Sequence, residues 1–396
     1  MRRLPFLTVF PVLTAAERTR HWEAHFLEEY PLALCNDGSP AAYYYSEGTQ
    51  RLNLWLVFLE GGMWCWSEES CRTGFHGTSS SNKFVRTPKG LAWWASKLHG
   101  LFDAESSPLA QARIAYVRTC SNDAFLGDTS PSPRSAARSP FDRWHFRGAR
   151  IVEAVFQDLR ARTGLGADAG DRVLFGGCSA GARGALVSLD YVAASLAGKA
   201  QVLGLFDSPL WVPIVPFGPT VESFEVQTKK ANDLFGNSTS YVSTECEQAY
   251  PNAKWKCIFP AFRLPFVRTP YFLSHSQYDK FAVNWNLRRF WWLPKKKLNV
   301  TVRGFAEEIR KLVRKYLPSP TLESGSTVFS SACYFHCTFG FQFANWIRVG
   351  GFTVLEHLER WLAGAAVIDR LREDCVGFDC GSPGGLVSLE PALLSI

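Results

Sequence analysis

Apolar residues fall in two rhythms along this chain, short unbroken runs and stripes at helical spacing, and the two alternate. Asn53-Leu-Trp-Leu-Val-Phe-Leu59 is a six-residue apolar run closing on Glu60-Gly61-Gly62, which reads as a buried strand entering a tight loop. Ala112 to Val117 is a second run, broken by Arg113. From Arg147 to Arg160, Ile151, Val152, Ala154, Val155 and Leu159 recur as on one face of a helix. Arg172-Val-Leu-Phe175 then predicts a strand ending at Gly176-Gly177. Gly181 to Ala194 predicts a helix with Ala185, Leu186, Leu189 and Val192 on one side. Val202 to Phe206 and Pro270 to Ser274 predict later strands. Strands alternating with helices pair in parallel through right-handed crossovers, so the expected architecture is a doubly wound, mostly parallel α/β sheet.

Pro213 to Thr269 breaks the rhythm with prolines, aromatics and two cysteines, and is expected to form an insertion or cap. Ser130 to Pro140, rich in Ser, Pro, Arg and Ala, reads as an exposed loop. Residues 17–396 are expected to form a single domain. Residues 1–16 carry a basic start (Arg2, Arg3), an apolar stretch and small residues, the pattern of a signal peptide, although Pro5 and Pro11 interrupt it.

Composition narrows the class. At 396 residues with 46% hydrophobic and 20% charged, the chain can build a large core, and general disorder is excluded. No apolar run reaches the roughly 20 residues that cross a bilayer, so stable membrane insertion is not expected. The net charge of +7 is dispersed, its strongest cluster being Lys295 to Lys297 behind Phe290, Trp291 and Trp292. Neither a continuous basic stripe nor a nucleic-acid-binding module is present, so no nucleic-acid partner is expected. A monomer is expected.

Eleven cysteines include four close pairs, Cys65 and Cys71, Cys246 and Cys257, Cys333 and Cys337, and Cys375 and Cys380, with Cys35, Cys120 and Cys178 left over. No CxxC occurs and no four-ligand set can be assembled, so neither metal nor other cofactor is expected. An oxidising compartment would turn this count into as many as five bridges and one thiol. With sequons at Asn237 and Asn299, it favours a secreted protein.

The chemistry centres on Gly177-Cys178-Ser179-Ala180-Gly181. Serine on a sharp strand-to-helix turn needs glycine neighbours to let its hydroxyl protrude, and the helix start supplies N–H donors for an oxyanion. Glycine-rich serine turns are common, but this one lies between a predicted strand and a predicted helix, as a nucleophile requires. Serine also needs a base. His357 lies in a helical pattern and reads as a surface or packing residue. His275, next to Asp279 after a strand, and His336, between Cys333 and Cys337, remain in contest. The chain order serine, acid, histidine favours His336, with Asp279 as the acid. Gly61-Gly62, after an early strand, could complete the oxyanion cradle.

These motifs together resemble the pectin acetylesterase and Notum family of carboxylesterases, over about Cys35 to His336. The resemblance rests on Cys35-Asn-Asp-Gly-Ser-Pro40 with Tyr43 to Gly48, Leu59 to Cys65 with Cys71, Cys120 to Asp128, Phe146-Arg-Gly-Ala-Arg150 and Gly177 to Gly181. It implies an α/β-hydrolase fold without metal, mostly in secreted proteins. The implied nucleophile, acid and base are Ser179, Asp279 and His336, and the oxyanion donors are the N–H groups of Gly62, Met63 and Ala180. The implied substrate is an acylated, pectin-like polysaccharide, from which acetyl groups are removed. The alternatives are a Notum-like deacylation of a lipidated protein and, from another class, a non-catalytic binding protein on a hydrolase scaffold. Two departures stand out. Met63 replaces the glycine of plant members and the tryptophan of Notum proteins, and Ala182-Arg183 stands where plant members carry a second glycine. Arg183 is expected to face solvent, with contact to an anionic substrate as the alternative.

Overall fold

The computed structural model describes residues 20–48, 53–62, 64–73, 79–131, 143–218, 220–236, 241–287, 300–319, 322–365 and 372–377. Met63, the asparagines of both sequons, Lys295 to Lys297, most of Ser130 to Pro140 and residues 1–16 lie outside this set.

Eight strands form one sheet: β1 (Glu23–Phe26), β2 (Ala42–Ser46), β3 (Leu54–Leu59), β4 (Arg113–Val117), β5 (Arg172–Cys178), β6 (Gln201–Asp207), β7 (Tyr271–Ser274) and β8 (Thr327–Phe329). Their order across the sheet is β1-β2-β4-β3-β5-β6-β7-β8. The first three neighbours pair antiparallel, β1 with β2 and β2 with β4, and from β4 through β3 to β8 every pairing is parallel. The helices are α1 (Glu68–Thr73), α2 (Pro88–Ala95), α3 (Gly148–Thr163), α4 (Ala180–Ser195) and α5 (Phe224–Leu234) in the first part of the chain. The later ones are α6 (Thr244–Ala249), α7 (Pro260–Arg263), α8 (Lys280–Asn286), α9 (Val300–Tyr316) and α10 (Val354–Leu362). Between β6 and β7, where the rhythm of the sequence fails, the chain carries α5 to α7.

Alternating side chains of the central strands feed two cores. Val57, Leu59, Val173 and Phe175 join Ile151, Val155, Leu186 and Leu189 of α3 and α4 on one face. Leu56, Phe58, Leu174 and Leu205 join Phe272, Leu355 and Leu358 on the other. That double burial is why these strands read as continuous apolar runs.

β5 runs through Gly176 and Gly177 to Cys178, further than the apolar run predicts. A methyl group at Gly176 would overlap the Leu205 carbonyl of β6, so glycine here permits close strand packing. Gly177 and Gly181 both face the Leu59 carbonyl at the end of β3, and any side chain there would collide with it. The glycines thus bring the end of β3 against the turn that leaves β5.

Gly176→Ala should therefore cost about 3 kcal/mol by overpacking. Gly304→Ala, at an exposed position of α9 with open space around it, should instead stabilise by about 0.5–1 kcal/mol. Urea unfolding of both variants checks the pair, and a Gly176 variant as stable as the parent would contradict the packing.

Candidate active site

The carboxyl ends of the parallel strands fall together at Leu59, Cys178, Asp207, Ser274 and Phe329, with Cys178, Asp207, Ser274 and Phe329 in direct register. Ligand sites of open α/β sheets form along this edge. Each predicted site group follows one of these ends: Gly61-Gly62 after β3, Ser179 after β5, Asp279 after β7 and His336 after β8.

Ser179 occupies the tight turn between β5 and α4 at φ 53°, ψ −116°. A non-glycine residue there is strained by about 1–3 kcal/mol. Its N–H donates to the Asp207 carbonyl at 2.8 Å, and the side chain is nearly buried, with the residue 8% exposed. Ala180 begins α4, so its N–H belongs to the first turn, where no intrahelical acceptor exists. Gly61 packs on the same turn: a methyl there would stand 2.9 Å from Cys178 Sγ. Gly62 faces the Thr119 side chain. The β3 loop and the start of α4 therefore converge beside Ser179.

Asp279 is fully buried and uses both carboxylate oxygens. Oδ1 accepts from Ala282 N–H at 2.7 Å, capping α8, and Oδ2 stands 2.6 Å from His336 Nδ1. Burial pushes this carboxyl upward, but His336, His275 and the Ala282 N–H together hold it below the ordinary carboxylate range. His275 is placed differently. Its ring is buried, neither nitrogen has a hydrogen-bond partner among the described residues, and burial pushes its pKa down to about 4. His357 is a packing residue on α10, its Nε2 3.0 Å from the Val349 carbonyl.

Cysteine pairing corrects one expectation. Cys333 and Cys337 do not bond each other; Cys337 joins Cys178, with a Cα–Cα distance of 5.8 Å, and Cys333 is a buried thiol. A short sequence spacing suggested a local staple, but the β8 loop lies across the sheet edge from the end of β5. The bridge joins the residue before Ser179 to the residue after His336. Cys65–Cys71 and Cys246–Cys257 pair as neighbours, Cys35 pairs with Cys120, and Cys375 is also disulfide-bonded.

Asp207, not singled out by the sequence, organises the histidine loop. Its Oδ2 accepts from the N–H groups of Thr338 and Phe339, both at 2.7 Å. Ser208, at φ 54°, accepts from Cys337 N–H through its hydroxyl at 3.0 Å. Burial lifts the Asp207 carboxyl to about 6, against the pull of the Phe339 N–H, His336 and its other donors. The signal in the sequence is a polar pair, Asp207-Ser208, ending the apolar run of β6.

Arg183 corrects a second expectation: it is 2% exposed, not solvent-facing. Its guanidinium lies 3.8 Å over the Trp211 ring and 5.3 Å from Trp64. Trp211 stacks on Phe224, and Phe281 extends the stack towards Trp285 and packs 5.3 Å from the His336 ring.

The two remaining sequence motifs form scaffold. Buried Asp123 accepts from Ser121 Oγ and the N–H groups of Phe125, Gly127 and Gly148. Asp128 pairs with Arg147 and Arg150, and Asn122 O accepts from Cys65 N–H beneath the β3 loop. Among the described residues no three His, Cys, Asp or Glu side chains could share a metal ion.

Comparison with known proteins identifies the family. The Pectinacetylesterase family model matches residues 15–381. Pectin acetylesterase 7 of Arabidopsis thaliana is 25% identical over 383 residues, 90% of each chain. Palmitoleoyl-protein carboxylesterase notum1a of Danio rerio is 29% identical over 269 residues, 65% of this chain but 50% of that protein. The structure of the Wnt deacylase Notum from Drosophila superposes with a TM-score of 0.77 at 22% identity, covering 92% of this chain and 100% of that one, and shares the α/β-hydrolase-like fold. The chain is a carboxylic ester hydrolase that belongs to the pectinacetylesterase family.

Proposed function

We propose that the chain is a secreted serine esterase that removes acetyl groups from a pectin-like polysaccharide through Ser179, His336 and Asp279. One observation carries the reading: His336 Nδ1 meets Asp279 Oδ2 at 2.6 Å on a loop that a disulfide ties to the Ser179 turn. With Asp279 ionised, Nδ1 keeps its proton and Nε2 accepts the proton of Ser179 as its oxygen attacks the ester carbonyl. The N–H groups of Gly62, Met63 and Ala180 take the negative charge that develops on the carbonyl oxygen. His336 then returns the proton to the departing sugar hydroxyl, leaving an acetyl-serine. Water, deprotonated by the same imidazole, releases acetate and restores Ser179.

Coverage of 90% of the plant acetylesterase supports the polysaccharide substrate. The similarity to Notum proteins keeps deacylation of a lipidated protein as the second reading. Family membership and the presence of all three candidate groups weigh against a non-catalytic binding protein. The disulfides support an oxidising, extracellular setting. No helix among the described residues is long and apolar enough to cross a membrane.

Ser179→Ala should reduce turnover of p-nitrophenyl acetate by about 10⁴-fold or more. His336→Ala should do the same while His275→Ala retains most activity, and the reverse pattern would make His275 the base. Among acetyl, butyryl and octanoyl esters the acetyl ester should give the highest kcat/KM; a maximum at octanoyl would select the lipid reading.

Asp207 acts as a positioning residue, and its titration shows in stability. The folded carboxyl, raised to about 6 from 3.8, binds its proton more tightly than the unfolded chain does. Stability contributed by this group is therefore present below about pH 4 and falls as pH rises to about 6. The unfolding free energy of the parent minus that of Asp207→Asn should decline across this window, and a rise would contradict the assignment.

A further inference from the structure

Resting on the esterase reading, we infer that Arg183 recognises a carboxylate on the substrate, placed close to the ester that is cleaved. The residue stands one turn into α4, its N–H bonded to the Ser179 carbonyl at 3.0 Å, so it shares a helix face with the nucleophile. Side chains on a helix lean towards its N-terminus, which carries the guanidinium back towards the Ser179 turn. There it lies between Trp64, two residues beyond the Gly61-Gly62 loop, and Trp211, whose stack reaches His336 through Phe281. Nucleophile turn, oxyanion loop and histidine-side stack thus all border this one cation.

Its bonding sets it apart. Nε and Nη1 are buried and have no hydrogen-bond partner among the described residues. Arg263, just as buried, leaves the same two nitrogens unpartnered but pairs with Asp190 through Nη2 at 2.8 Å, and Arg147 pairs with Asp128 at 2.6 Å. A guanidinium out of water without a carboxylate or carbonyl partner is costly, and two tryptophan faces only partly compensate for its lost hydration. Asp279 exerts an attractive field on it but makes no hydrogen bond with it, both of its oxygens being taken by Ala282 and His336. A planar fork of N–H donors held beside a nucleophile is the geometry that binds a carboxylate in bidentate fashion. Two kinds of ester present one: a uronate sugar carrying its acyl group near its own carboxylate, and a half-ester of a dicarboxylic acid carrying it at the end of the acyl chain.

The test compares free carboxylates with their methyl esters. An acetylated galacturonide places the carboxylate on the alcohol side, and p-nitrophenyl hemisuccinate places it on the acyl side. The parent should prefer the free acid over the methyl ester in one of these pairs by about 10- to 100-fold in kcat/KM, the worth of a charge-assisted contact. The pair that shows the preference identifies the source. Arg183→Met should abolish the preference and Arg183→Lys should keep part of it. Thermal melting confirms that each variant folds, as a buried cation replaced by an apolar side chain of similar length should allow.

Binding is read separately from turnover, by calorimetry with acetylated galacturonide and with ethyl hemisuccinate. Ser179→Ala should bind one of these acids at least about tenfold more tightly than its methyl ester, and Ser179→Ala/Arg183→Met should not. Equal handling of acid and methyl ester by the parent in both pairs, or a preference surviving in Arg183→Met, would overturn the assignment. Loss of all hydrolysis with the binding preference intact would instead discard the triad and leave the carboxylate site standing.

Discussion

The covalent bond between Cys178 and Cys337 is the constraint on which the rest of the site depends. It joins residues 159 positions apart and holds two loops that leave different strands of the sheet. In the chain-entropy picture a closure of this length is worth about 5 kcal/mol to the fold. Its chemical consequence is local, because Ser179 and His336 are the immediate neighbours of the bonded cysteines. Hydrogen bonds then fix what the bond leaves free. Asp207 takes Ser179 N–H on its carbonyl and two histidine-loop N–H groups on its carboxylate, while Ser208 takes Cys337 N–H. Covalent and polar ties therefore act on the same two loops at one sheet edge.

Backbone strain is present where those ties meet, as it is at Asn122, Ala124 and Phe125 around Asp123. Ser179, Ser208 and Cys337 all adopt positive φ without being glycine. Such conformations persist only where surrounding structure over-determines them. Here the glycines do the complementary task of removing bulk: Gly61, Gly177 and Gly181 let the β3 loop and the β5 turn approach each other. A second buried carboxylate, Asp123, folds the loop beneath Cys65 by gathering three backbone N–H groups. The sheet edge is thus assembled around two acids that accept several backbone donors each, and neither needs to contact a substrate to matter.

How far this was legible depends on the range of each signal. The central strands and the helices between them announced themselves, since double burial produces unbroken apolar runs and α3 keeps a striped face. β8 did not, because three residues are too few to show a period. The antiparallel β1 and β2 escaped as well: β2 is spelled Tyr43-Tyr44-Tyr45, buried aromatics on both faces with no alternation of polarity to read. Spacing misled at Cys333 and Cys337, where proximity in sequence is not proximity at the sheet edge. Arg183 misled for a related reason. Polar residues on a helix ordinarily mark its wet face, but the first turns of α4 are enclosed all round by β3, the Asp123 loop and Trp211. Asp207 was passed over because a single acid ending a strand carries no local mark of the donors that converge on it from a loop far along the chain.

The charges buried at this edge are unequal in number and in partners. Asp279 is held below the ordinary carboxylate range and has each oxygen engaged, by Ala282 and by His336; Asp207 is well supplied with donors, yet burial raises its carboxyl towards neutrality. Arg183 leaves Nε and Nη1 without a hydrogen-bond partner among the described residues, though it feels Asp279. An anionic substrate approaching Ser179 alone would meet the field of Asp279, which opposes it. A fixed guanidinium on the helix that follows Ser179 changes that sign. It counters the Asp279 field without forming an ion pair that would pull Asp279 from His336, because the carboxylate of Asp279 is already committed. In a water-poor site this arrangement is worth more than the same charges in solvent, where screening would erase most of it. The burial that makes Arg183 costly in the free protein is the same burial that would make it selective.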